Sequence, residues 1–376
     1  MSLPHERQRV PPATYPKKSA HYPTLPAHYP FSVLSGAKGA QLASNYFTNC
    51  TIVMQAHPNP DFHKQLNPAH FKPLFQTKAW RHALGMLQDW VIIGLTIYAS
   101  VNWLPVIFYP VAVIIIGARM HALAILMHDA THFRFLKKRT WNDAISNWLT
   151  MYPLFTSIET YRQNHLRHHQ HLNTEDDPDW VAKLGKRAFT FPKTKREFLL
   201  TLGAYMTMYN GVKDAIWFLQ RFQAPAAKQA QAGEQRWPRL LFYALLFTVL
   251  TLTQTWIYFL LFWFVPYLSS FFMFQYIRSV AEHYGELAYD DALTSTRTTL
   301  PNAVERFFLA PHQVGYHLEH HLYPGVPFYN LPRLHEVLMT LPNFKAQAHI
   351  THGYLTGLLD ELGNFEKMQA KDSAAA

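Results

Sequence analysis

One cysteine, Cys50, stands in 376 residues. A single thiol excludes a disulfide-stapled scaffold, a cysteine-ligated zinc module and a self-contained iron–sulfur cluster. Charge is scarce as well: Asp, Glu, Lys and Arg make up 15% of the chain, against roughly 25% in an ordinary soluble domain. Acids are the scarcer sign, 24 against 34 Lys plus Arg, which leaves a net charge of +10. A basic chain invites nucleic acid, but no nucleic-acid module is recognisable and the cations form no single stripe. No nucleic-acid partner is expected. What is abundant is apolar and aromatic: 49% hydrophobic residues, with 27 Phe, 20 Tyr and 10 Trp, exclude disorder throughout. Histidine is the outlier at 22 residues, nearly as many as all the acids. Metal is therefore the first question.

The apolar residues are concentrated. Between Arg81 and Arg119 no Lys or Arg occurs and Asp89 is the sole carboxylate; from Leu240 to Ile277 there is no charge at all. Each block is long enough to cross a bilayer twice at about 20 residues per span. The sequence thus predicts an all-α integral membrane protein with four spans in two hairpins, at about 87–104, 106–127, 239–254 and 256–278. The turns fall at Asn102 to Pro105 and Thr253 to Trp256, with Pro110 as a kink. Both turns lack Lys and Arg, whereas the flanks carry Arg81, Arg119, Lys137, Lys138, Arg139, Arg236, Arg239 and Arg278. The positive-inside rule then puts both termini and a helical cap on the cytoplasmic side.

Residues 1–35 read as a disordered Pro-rich arm, 36–85 as a cytosolic or interfacial segment, and 86–340 as the membrane domain. Residues 341–376 read as a C-terminal helix and tail, disordered from about 366. Trp141, Ile145, Trp148, Leu149, Tyr152 and Phe155 recur at helical spacing, as do Phe198, Leu202, Tyr205, Tyr209, Val212, Ile216 and Leu219. They suit either interfacial helices or core-facing stripes of the cap. Residues 223–238 read as a linker.

Four histidine positions punctuate this plan: His128 and His132 as HxxxH, His165, His168 and His169 as HxxHH, the lone His283, and His317, His320 and His321 as a second HxxHH. Positions i, i+3 and i+4 share a helix face, so each HxxHH is expected to aim three imidazoles one way. Nine imidazoles exceed one tetrahedral zinc site and suit two metals with four or five nitrogens each. Imidazole alone does not choose among zinc, copper, iron and nickel; iron fits oxygen chemistry on an apolar substrate. Candidate carboxylates for the second imidazole nitrogen are Asp129, Glu159, Asp176, Asp177, Asp179, Glu282 and Glu319. His121, two turns before His128, points either to a substrate channel or to a hydrogen bond within the membrane. His171, His312 and His335 break the spacing and stay outside the ligand set.

HDATH, HLRHH and HLEHH, in that order and split by two apolar hairpins, resemble the membrane fatty acid desaturase superfamily, which includes acyl-lipid desaturases, hydroxylases and carotenoid ketolases. The resemblance covers roughly residues 85 to 340. AEHYG and GYHLEHHLYPGVPFYNLPRLH are most similar to bacterial acyl-lipid desaturase-like members. It implies that the nine histidines hold two irons, that O₂ is co-substrate, and that a four-span mushroom shape leads an acyl chain to the metals. The implied reaction is O₂-dependent removal of two hydrogens from a fatty acyl lipid or acyl carrier, in a bacterial inner membrane. Ser279 departs from some animal members, which carry Asn there, and His317 departs from the Gln of cytochrome-fused members. No HPGG motif or dinucleotide fingerprint occurs, so no bound haem, flavin or NAD is expected, and electrons come from a separate ferredoxin- or cytochrome-type donor. The rival readings are a lipid or carotenoid hydroxylase or ketolase with the same metals, a metal transporter or sensor, and a non-catalytic metal- or lipid-binding relative.

Overall fold

The structure, a computed structural model, describes residues 61–223, 235–289 and 291–363. The chain divides into Met1–Thr51 and Ile52–Ala376, and every described residue belongs to the second unit. The expected arm at 1–35, residues 36–60 with Cys50, the 224–234 part of the linker, and the 366–376 tail lie outside the described residues.

Proline sets several helix ends. Helix α1 (Ala79–Asn102) stops short of Pro105, whose ring disfavours helical geometry in the residue before it. One tight turn, Val106–Phe108, leads into α2 (Tyr109–Thr131). Pro110, expected as a kink, falls instead in the first turn of α2, where its missing N–H breaks no helical bond. The cap begins with α3 (Arg139–Ser146) and α4 (Ile158–Gln170), the latter capped by the Ser157 hydroxyl on Thr160 N. Next come α5 (Lys195–Met206), opened by a reciprocal Thr194–Glu197 capping box, and α6 (Tyr209–Gln223). The second apolar block forms α7 (Trp237–Leu252) and the long α8 (Trp256–His283). Helix α8 widens to π-type turns at Leu260–Phe264 and Tyr267–Phe271, on either side of Pro266, which cannot donate the regular helical bond. Helices α9 (His317–Leu322) and α10 (Leu331–Leu338) complete the cap.

Three stretches are long and apolar enough to cross a membrane: Ala79–Asn102, Val106–Thr131 and Trp256–His283. Helix α7 has 16 residues, about 24 Å at the usual rise, short of a hydrocarbon core of about 30 Å. The helices at the second and fourth expected spans run past the expected ends at 127 and 278, because the His-bearing segments continue the helix rather than leave it. Among the described residues the fold also departs from all-α where Thr298–Leu300 pairs in parallel with Ile350–His352. Three residues are too few for alternation to register. The expected C-terminal helix is divided by this strand into Pro342–Gln347 and a turn ending at Leu362.

On α1, Trp80, Leu84, Leu87, Val91, Leu95 and Tyr98 stay exposed along one face. Water penalises an apolar stripe of this length and lipid does not. Its other face places Met86 and Ile93 against Ile116, Leu123 and Leu126 of α2 and Trp263 of α8. The two aromatic stripes of the cap split: Phe198 and Tyr205 are buried with Tyr276 of α8, whereas Trp141, Leu149, Tyr209, Val212 and Ile216 face outward. In α9, Leu318 and Leu322 pack on Leu331, Leu334 and Leu338 of α10. This packing fixes the face of α9 that carries histidine.

Two of the expected basic flanks are internal. Arg119 is buried, its Nη1 3.2 Å from Asp89 Oδ1 and its Nη2 donating to the Phe307 carbonyl. Arg278 is buried with Nε 2.7 Å from Glu282 Oε1. Ion pairing, not exposure at a membrane edge, accounts for these two cations.

Candidate metal centre

The nine histidines arrive from four directions. Helix α2 supplies His128 and, at its end, His132; α4 supplies His165, His168 and His169; the last residue of α8 is His283; α9 supplies His317, His320 and His321. They sort into two groups, His128, His132, His165, His169 and His320, and His168, His283, His317 and His321. Within each group the ligand atoms lie within 4.8 Å of one another. The expectation that each HxxHH aims all three rings together is corrected here. At 100° per residue, i and i+4 stand about 40° apart, while i+3 lies about 60° to the other side of i. Each motif therefore gives its i, i+4 pair to one group and its i+3 ring to the other.

Burial holds the imidazoles of His165, His169, His317, His320 and His321 well below the usual histidine range, and His132 down to about 3. A neutral ring offers one N–H and one lone pair. His165 Nε2 is nonetheless 2.9 Å from His132 Nε2 and 3.0 Å from His169 Nε2, which is 3.0 Å from His320 Nε2. In the second group His317 Nε2 stands 3.0 Å from the Nε2 atoms of both His283 and His321. A shared cation accepts all these lone pairs at once. Two nitrogens each about 2.1 Å from one ion stand about 3.0 Å apart at a right angle and about 3.4 Å apart at a tetrahedral angle. The closest nitrogens match the first of these spacings, and the two donor sets fit two metal ions.

The surrounding carboxylates divide. Asp177 Oδ2 accepts from His168 Nδ1 at 2.8 Å and from Asn173 N at 3.0 Å, while its Oδ1 caps the short helix Pro178–Val181. That bond fixes the proton on Nδ1 and turns the Nε2 lone pair inward. Glu282 Oε1 lies 3.3 Å from His317 Nδ1. The other candidates are engaged elsewhere. Asp129 accepts from Phe328 N and lies 3.4 Å from His82 Nδ1; Glu319 binds His335 and Thr298; Glu159 accepts from Asn147; Asp179 pairs with Lys183. Asp176 is exposed and pairs with Arg167.

Three histidines outside the two groups engage the residues around them. His312 Nε2 lies 2.7 Å from Asp89 Oδ2, so Asp89 joins α1 to Arg119 and His312 in a buried network. The signal was Asp89 itself, a lone carboxylate in an apolar block. His335 serves Glu319, and His82 stacks on Phe135 with ring centroids 4.3 Å apart. His121 is fully buried beside Phe274, and neither ring nitrogen has a hydrogen-bond partner. His165, His168, His283 and His317 also form one wall of a cavity of about 290 Å³ that continues between α4, α6 and α8. The metal groups and this cavity thus share a surface.

The family model described as Fatty acid desaturase matches residues 101–352. The chain is 29% identical to the dihydrorhizobitoxine desaturase of Bradyrhizobium elkanii over 276 residues, covering 70% of this chain and 76% of that protein. It is 28% identical to the sn-1 oleoyl-lipid 12-desaturase of Anabaena variabilis over 277 residues, covering 68% and 74%. It is 25% identical to the β-carotene ketolase of a Paracoccus species over 213 residues, covering 56% and 72%. The histidine groups at the ends of apolar helices and the extent of the family match agree, and the chain belongs to the fatty acid desaturase family as an oxidoreductase of the desaturase type.

Proposed function

We propose that this protein is a membrane oxidoreductase that uses O₂ to introduce a double bond into a fatty acyl chain at a di-iron centre, with electrons from a separate ferredoxin- or cytochrome-type protein. The observation that carries the reading is the sorting of nine buried or half-buried imidazoles into groups of five and four, with members of both groups on the wall of one cavity. His128, His132, His165, His169 and His320 would hold one iron, and His168, His283, His317 and His321 the other. Bound iron supplies the redox chemistry that an unactivated C–H bond requires. The chain's own residues do the rest. Asp177 orients His168, and the cavity excludes bulk water from the reacting carbon. A chain displaced by one carbon is oxidised at a different position, so the cavity sets regiochemistry.

Four crossings remain part of the proposal, with α7 accommodated by local thinning of the bilayer. Exposed Arg81, Lys137, Lys138, Arg139 and Arg236 support a cytoplasmic cap. A hydroxylase or ketolase is the second reading, favoured by the similarity to the Paracoccus ketolase. Incubation of the iron-loaded protein with reductant, donor protein and a set of acyl lipids separates them by product mass. Loss of two hydrogens supports desaturation, whereas gain of one oxygen replaces it with the second reading.

A further inference from the structure

The wall of the cavity facing the histidines is not what a plain hydrocarbon chain requires. Helix α8 is uncharged and mostly apolar until it reaches the cavity, and there it presents Gln275, Ser279 and Glu282 at i, i+4 and i+7, one above another and ending beside His283. Gln275 Oε1 and Ser279 Oγ are buried, and neither has a hydrogen-bond partner. A helical serine ordinarily satisfies its hydroxyl on the carbonyl four residues earlier; this one does not. Ser279 sits about 6 Å and Gln275 about 12 Å along the helix axis from His283. Both therefore lie along a chain whose reacting carbon is held at the metals, Ser279 nearer to that carbon than Gln275.

The charges around them are balanced. Arg278 pairs with Glu282 at 2.7 Å, Lys183 with Asp179 at 2.6 Å and Lys186 with Asp214 at 3.8 Å. Each of these cations has its anion, so the cavity offers no net positive cradle for a phosphate or a carboxylate. It offers uncharged hydrogen-bonding groups in a lining that is otherwise largely aromatic. A methylene run laid along this wall would leave both groups unsatisfied.

We propose that the substrate carries a hydroxyl group along the chain that leads to the oxidised carbon, accepting from the Ser279 hydroxyl and donating to Gln275 Oε1. This rests on the desaturase reading for the position of the reacting carbon. It narrows the substrate class to a hydroxylated chain. Ser279 and Gln275 thereby become specificity-determining residues.

The test uses the full chain in lipid nanodiscs and two probes of equal length, dodecane and 1-undecanol, both tritiated on carbon and each partitioned against empty nanodiscs. The expected result is a preference of about tenfold for the alcohol. It should be reduced to near parity by Ser279→Ala together with Gln275→Leu and retained by Ser279→Thr, which keeps the hydroxyl. Equal binding of the two probes, no binding of either, or a preference that survives the double substitution overturns the proposal. Metal content measured on the same samples keeps the two readings apart. An alcohol preference in protein that takes up no metal supports the pocket and removes the desaturase reading; parity in iron-loaded protein removes the pocket proposal alone.

Discussion

Asp177→Asn isolates the contribution of one carboxylate to the metal centre. The wild-type carboxylate is fully buried and accepts four hydrogen bonds: from His168 Nδ1 and Asn173 N on one oxygen, and from Asp179 N and Trp180 N on the other. An asparagine keeps one accepting oxygen, so whichever way the amide turns, two buried donors lose their acceptor. Hydrogen bonds to a charged group contribute about 1.5–3 kcal/mol each, which puts the stability loss at about 3–6 kcal/mol. The substitution also frees the His168 ring to change tautomer. Loss of such a partner typically lowers metal affinity by about 10–100-fold. Competition against a calibrated chelator and denaturant unfolding of the metal-free protein read the two effects separately. Asp176→Asn, one residue away and exposed beside Arg167, should change either by no more than a surface ion pair does, about 0–1 kcal/mol. Equal metal affinity in Asp177→Asn and wild type would refute the role given to this carboxylate.

Acid should destabilise the metal-free protein: above pH 6.5 His132 is neutral folded and unfolded, whereas below it the unfolded ring takes a proton that the buried ring refuses until about pH 3. Each such ring lowers stability by up to about 1.4 kcal/mol per pH unit in that window, so unfolding midpoints that stay flat from pH 7 to 5 would contradict it. A methyl group on Gly211 would meet the Leu268 carbonyl oxygen at 1.8 Å, while one on Gly203 meets nothing within 4 Å. Gly211→Ala should therefore cost about 1–3 kcal/mol or more and push α6 off α8, whereas Gly203→Ala should be neutral or stabilising; thermal unfolding of the pair checks it. Asp89→Asn leaves Arg119 buried without its counter-charge and should cost about 3–5 kcal/mol. An unfolding curve that matches wild type would show that the network with His312 is dispensable.

The site was more legible in the sequence than the fold around it. Histidine at i, i+3 and i+4 is a local pattern, and helical geometry carries it directly into space. What spacing left open was the division of labour, because His168 and His320 leave their own motifs to join the opposite group. The carboxylates were harder. Asp176 and Asp177 are neighbours in one acidic run, yet one is buried on His168 and the other exposed. That distinction comes from the turn at 171–177, not from composition. Apolar runs located the spanning helices, but not the 16-residue length of α7 or the burial of Arg119, since a cation in sequence looks the same whether it flanks a membrane or meets Asp89. The ladder between Thr298–Leu300 and Ile350–His352 joins segments 52 residues apart in register, beyond the reach of any local pattern.

Metal content tests the central claim most directly. Protein from iron-supplemented cells, purified in detergent, should carry about two irons per chain. His320→Ala should deplete the five-imidazole group and His321→Ala the four-imidazole group, each lowering the iron content. An iron content that neither substitution changes, or no stoichiometric metal at all, would contradict a di-iron centre built from these nine histidines.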